Sequence, residues 1–127
     1  MADDGTVYVR YLIADVEAAT DFYVAQLGFE VVWSAGAAFA EIARGNLHLL
    51  LSGPASSAAR PMPDGRRPES GGWNRIHLIV DDVAGEVDRL SAAGVTFRSE
   101  IIRGPGGSQI VFDDPSGNPV ELFEPSV

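Results

Sequence analysis

The chain contains no cysteine. That excludes thiol nucleophiles, disulfides, cysteine-ligated zinc and iron–sulfur clusters, and it leaves the redox compartment undetermined. Lysine is absent as well, because all nine basic residues are arginines. Schiff-base chemistry and a Walker-type phosphate loop both need an ammonium group, so both are excluded. Imidazole is scarce, with His48 and His77 alone. No apolar run approaches the ~18 residues of a membrane-spanning helix, and the acidic N-terminus lacks a signal-peptide pattern; the expectation is a soluble, cytoplasmic protein with no membrane partner. Basic residues number 9 against 18 acidic ones, a net charge of −9. That field repels phosphate backbones, so nucleic acid is not an expected partner.

What is present is a globular composition. In 127 residues, 46% hydrophobic and 21% charged, there is room for one domain, residues 1–127, with a buried core. The chain also repeats itself: residues 8–16 superimpose on residues 75–83, each a β-rich run ending in Asp and followed by a helical stretch. The first helix is expected from about Val16 to Leu27, with Asp15 as N-cap, Val16, Ala19, Phe22, Tyr23 and Leu27 on one face, and Gly28 as the left-handed stop. The second is capped by Asp82, carries Val83, Val87 and Leu90, and ends at Gly94.

Strands are expected at Phe29 to Trp33, Phe39 to Ala43 and Leu47 to Leu51, then at Val95 to Ile102, Ser108 to Phe112 and Val120 to Phe123. Gly45-Asn46 and Asp114 to Asn118 supply turns, and Gly104 to Gly107 reads as a hairpin connection rather than a phosphate loop. The layout is α+β: tandem βαβββ modules over 7–51 and 75–125, joined by a linker over 52–74. The linker is rich in Pro, Gly, Ser and Ala and holds Arg60, Arg66 and Arg67. It reads either as a solvated tether or as a lid or partner contact.

Strand alternation sorts side chains onto two faces. Val7, Val9, Tyr11, Ile13, Leu47, Leu49, Leu51, Ile76, Leu78, Val80, Val120 and Leu122 form an apolar set for the helices to cover. The opposite set holds Tyr8, Arg10, Leu12, His48, Leu50, Arg75, His77, Ile79, Glu121 and Phe123. Charges at that density cannot form a dry core. A curved eight-stranded mixed sheet, with helices on its convex side, makes this face a concave cavity, and Trp33, Phe39, Trp73, Phe97 and Phe112 flank it with aromatic surface.

These patterns, with ADVEAATDFYVAQLGFEVV in the first module and IVDDVAGEVDRLSAAGVTF and DDPSGNPVELFEP in the second, resemble the vicinal oxygen chelate superfamily. It includes glyoxalase I, extradiol dioxygenases, fosfomycin-resistance enzymes and bleomycin-resistance binding proteins. The similarity runs from about Val7 to Pro125 and is specific for fold rather than function. In metal-dependent members, ligands stand on the first and last strand of each module; carried onto this chain, those positions are Tyr8, Arg75, His48 and Glu121. An arginine offers no lone pair to a cation, so an Arg75–Glu121 ion pair is expected where a metal would sit. His48 and Tyr8 face each other in the same relation and could share a hydrogen bond.

The resemblance therefore implies first a metal-free, cofactor-free binding protein of the bleomycin-resistance type, with no catalytic residues, that sequesters an aromatic or antibiotic-like molecule. Its ligand-binding residues are Tyr8, Arg10, Trp33, Phe39, His48, Trp73, Arg75, His77, Phe97, Phe112 and Glu121. The alternative is a glyoxalase- or dioxygenase-like enzyme using a divalent metal such as zinc, iron, manganese or nickel on His48, His77 and Glu121. A third reading is a metal-free isomerase or cyclase with Glu121 or His48 as base and Arg75 as oxyanion partner. A homodimer is expected in each case.

Overall fold

Two short polar residues set the two helices. In the computed structural model, which describes residues 4–126, Asp15 accepts a hydrogen bond from the Ala18 amide at 3.1 Å and starts α1 (Val16–Leu27). Asp82 does the same for the Gly85 amide at 3.1 Å and starts α2 (Val83–Ala92). A carboxylate there satisfies an amide that has no partner within the helix. Gly28 ends α1 in the left-handed conformation, as its missing Cβ permits.

Around these helices run β1 (Val7–Leu12), β2 (Glu30–Ser34), β3 (Phe39–Arg44) and β4 (Leu47–Ser52), then β5 (Ile76–Ile79), β6 (Ile102–Gly104), β7 (Gly107–Asp113) and β8 (Pro119–Pro125). The eight strands form two mixed four-stranded sheets, ordered β1-β4-β3-β2 and β5-β8-β7-β6. In each, the first strand runs parallel to the last and the remaining pairs are antiparallel. The chain divides into two compact units after Ser70. No helix among the described residues is long and apolar enough to cross a membrane.

In the first unit, α1 packs on β2, β3 and β4. It buries Val16, Ala19, Tyr23 and Leu27 against Ala40, Ile42, Leu49, Leu51 and Tyr11. Register explains the set: Ala40, Leu51 and Tyr11 share one rung and Ile42, Leu49 and Val9 the next, so their side chains emerge on one face. Each fully buried aliphatic or aromatic side chain contributes roughly 1.5–3 kcal/mol. In the second unit, α2 packs on β7 and β8 with Val83 and Leu90 buried, facing rungs made by Ile110, Leu122 and Leu78 and by Phe112, Val120 and Ile76. Glu124 on β8 accepts the Val83 amide at 3.0 Å, tying the helix start to its sheet.

One expected strand is not continuous. Over Val95 to Ile102 only Phe97 bridges to Phe112, and regular pairing resumes at β6. Arg98 donates its amide to Val111 and Thr96 accepts from Asp113, but the Val111 amide goes to the Ser99 hydroxyl at 3.4 Å. A side chain takes the place of a strand carbonyl, and the ladder stops.

The segment after β4 has its own structure. The Gly53 amide donates to Ala38 at 2.9 Å, a 3₁₀ turn covers Ser57–Ala59, and Met62 to Arg66 closes a further turn. Arg67 to Ser70 then return to the ends of β1 and β4, enclosing with residues 12–14, 52–54 and Ala59 a cleft of about 280 Å³.

Candidate functional site

The faces turned away from the helices carry the chemistry, one in each unit. In the first, Trp33, Glu41, Leu50 and Arg10 occupy one rung, with Ala43, His48 and Tyr8 on the rung to one side of it and Phe39, Ser52 and Leu12 on the rung to the other. The structure thus gathers Tyr8, Arg10, Trp33, Phe39 and His48 on one sheet face. The Trp33 and Phe39 rings meet with centroids 5.3 Å apart, and Trp33 and Tyr8 remain more than half exposed.

The expected hydrogen bond between Tyr8 and His48 is replaced by another. Their rings touch, with centroids 5.0 Å apart, but His48 Nδ1 lies 2.6 Å from Glu41 Oε2. An ionised carboxylate only accepts, so Nδ1 carries the proton. Arg10 is engaged too, donating from Nη1 to the buried Ser52 hydroxyl at 2.9 Å. Glu41 and Ser52 escaped the reading from sequence, although alternation from Phe39 puts Glu41 on the same face and alternation from His48 does the same for Ser52.

In the second unit, His77 and Glu121 are opposite one another on adjacent strands. Glu121 accepts from Arg75 Nε at 3.0 Å through Oε1, and its Oε2 lies 3.1 Å from His77 Nδ1. The Glu121 side chain is only 10% exposed and Arg75 26%, so their contact is weakly screened, whereas His77 is 46% exposed. The His77 ring packs beside Phe123, centroids 5.0 Å apart. Trp73, 70% exposed, lies under the Arg98 guanidinium at 4.6 Å.

Two expected site aromatics belong elsewhere. Phe112 is on the rung of Val120 and Ile76, toward α2, with no exposed surface. Phe97 bridges to it and packs edge-on at 6.2 Å. Phe112 is core of the second unit, and Phe97 lies half-buried beside it.

Register also corrects the carried-over ligand positions. Superimposing the helix caps, Asp15 on Asp82, puts Tyr8 on Arg75 and Arg10 on His77. Tyr8 has His48 as its neighbour on β4, whereas it is His77 that has Glu121 on β8. His48 and Glu121 therefore stand on inequivalent rungs, and Leu50 is the counterpart of Glu121. The donor set His48, His77 and Glu121 does not fit a divalent cation: Arg75 brings a permanent positive charge to Glu121 and donates to one of its oxygens, and His48 is committed to Glu41. Among the described residues, no group of three or more His, Asp or Glu is arranged to hold a metal ion.

The family model described as the Glyoxalase/Bleomycin resistance protein/Dioxygenase superfamily matches residues 5–122. No curated protein sequence matches the chain. Among solved structures, the antibiotic binding protein TnmS3 from Streptomyces sp. CB03234 is 28% identical, with 99% of each chain covered and a TM-score of 0.73. A superfamily member from Sphaerobacter thermophilus DSM 20745 is 30% identical over 94% of this chain and 95% of that one, with a TM-score of 0.73. Lactoylglutathione lyase from Agrobacterium tumefaciens, 24% identical over 98% and 96% of the two chains, shares the fold with a TM-score of 0.75.

Proposed function

Since the chain belongs to the glyoxalase/bleomycin resistance protein/dioxygenase superfamily, we propose that it is a binding protein that sequesters an aromatic, antibiotic-like small molecule without metal and without turnover. The observation that carries this reading is the Arg75–Glu121 ion pair at 3.0 Å, which puts a fixed cation on the acidic residue of β8 that faces away from α2. Exposed Tyr8, Trp33 and Trp73 add ring surface, and aromatic pairs contribute ~1 kcal/mol beyond simple burial. The likeness to an antibiotic binding protein at 28% identity supports the same assignment. A net charge of −9 favours cationic ligands. The protein acts as a homodimer in this proposal, which light scattering tests directly.

Thermal-shift screening of aromatic natural products, followed by calorimetry and mass analysis of the recovered ligand, tests the function. The expected result is saturable stoichiometric binding, unchanged by a chelator, with the ligand returned intact. Recovery of a chemically altered ligand overturns it.

A further inference from the structure

The Glu41–His48 pair is placed to do more than fill a sheet face. β3 and β4 are joined by the two-residue turn Gly45-Asn46, which fixes the register that puts Ala43 opposite His48 and Glu41 opposite Leu50. Glu41 and His48 are thus diagonal neighbours on one face of an antiparallel pair, within reach of each other without strain. Their side chains are 13% and 20% exposed, so water competes little for the 2.6 Å contact. The carboxylate keeps the proton on Nδ1.

His48 Nε2 makes no hydrogen bond among the described residues. Nor is it sealed off, because no buried side-chain nitrogen or oxygen lacks a partner. Beside it stands the Tyr8 ring at 5.0 Å, and farther along the same face, beyond Glu41, the Trp33–Phe39 pair. Resting on the reading that this face binds an aromatic molecule, we propose that Glu41 is a positioning residue that holds His48 in its Nδ1–H tautomer, so that Nε2 accepts a hydrogen bond from a hydroxyl on the ligand's aromatic ring. A phenol is the matching class: its ring stacks on the aromatic side chains and its O–H is a strong neutral donor.

Two measurements test this on the full chain. Long-range ¹H–¹⁵N correlation spectra of the unliganded protein in mildly alkaline buffer report the tautomer. A proton on Nδ1 and a bare Nε2 are expected, with the fixed pattern lost in Glu41→Gln, whose amide both donates and accepts. A ring protonated on Nε2 overturns the proposal without reference to any ligand. The second measurement compares 2-naphthol with 2-methoxynaphthalene, which keeps the ring and removes the donor. The naphthol is expected to bind about tenfold tighter, the worth of one hydrogen bond, and to shift the Nε2 resonance. Glu41→Gln narrows that ratio towards one. Equal affinity of the two probes in the unaltered protein overturns hydroxyl recognition and leaves the aromatic reading standing; failure of both probes to bind overturns the two together.

Discussion

Arg75 and Glu121 are joined by a hydrogen bond from Nε to Oε1 at 3.0 Å between side chains 26% and 10% exposed. The guanidinium stays charged at any working pH and offers no lone pair. A divalent ion entering beside Glu121 would meet this charge directly. Titration of the chelator-treated protein with zinc, nickel or manganese is therefore expected to show no site at micromolar concentration. A stoichiometric calorimetric transition with any of them sinks the metal-free reading.

Removing the guanidinium exposes what it stabilises. Arg75→Met keeps the apolar stem and leaves Glu121 with His77 as its one side-chain partner. A charged hydrogen bond in a half-buried setting is worth about 1.5–3 kcal/mol, discounted here for the exposed part of Arg75. Urea unfolding is expected to show a loss of about 1–2 kcal/mol. The double variant Arg75→Met/Glu121→Gln should recover part of it, since no unpaired carboxylate then remains.

Arg98 fixes Trp73. Its Nε donates to Asp113 at 2.6 Å, and its two terminal nitrogens donate to the Gly72 carbonyl at 2.6 Å and the Gly117 carbonyl at 2.9 Å. Held this way, the guanidinium carbon stands over the Trp73 ring, 4.6 Å from its centre. Lysine cannot form this fork. Arg98→Lys is expected to cost about 1–2 kcal/mol in stability and to increase acrylamide quenching of Trp73 fluorescence, read in a Trp33→Phe background. Unchanged quenching means that the stacking does not order the indole.

The parts that sequence made legible are those decided locally. Asp15 and Asp82 cap the helices as their spacing predicts, and the stripes of α1 and α2 are buried at Val16, Ala19, Tyr23, Leu27, Val83 and Leu90, with Phe22 and Val87 only half-buried. Alternation likewise gathered Tyr8, Arg10 and His48 on one face. It could not say which neighbour each would bond, because that depends on register between strands distant in sequence. Hence Glu41 rather than Tyr8 holds His48, and Leu50 rather than His48 is the counterpart of Glu121. Phe97 and Phe112 were misplaced for a related reason. Phe112 follows β7 into the core, and Phe97, bridged to it, is drawn to the same side, a pairing between segments distant in sequence.

The turn between β6 and β7 separates two adjacent glycines that look alike in sequence. Gly107 has φ +150°, and a Cβ built there would lie 2.1 Å from the Glu124 carbonyl oxygen and 2.9 Å from the Phe123 ring. The carbonyl belongs to β8, whose pairing with β7 puts Gly107 opposite Pro125, so neither backbone can yield without breaking that ladder. At Gly106 the same atom would meet only Phe123, at an ordinary 3.9 Å. Gly107→Ala is therefore expected to cost about 2–3 kcal/mol, as a combined clash and backbone strain. Gly106→Ala should stay within about 0.5 kcal/mol of the parent. Chemical denaturation of the two variants side by side checks this, and equal loss at both positions would mean that the turn, rather than the approach of Gly107 to β8, limits what can be placed there.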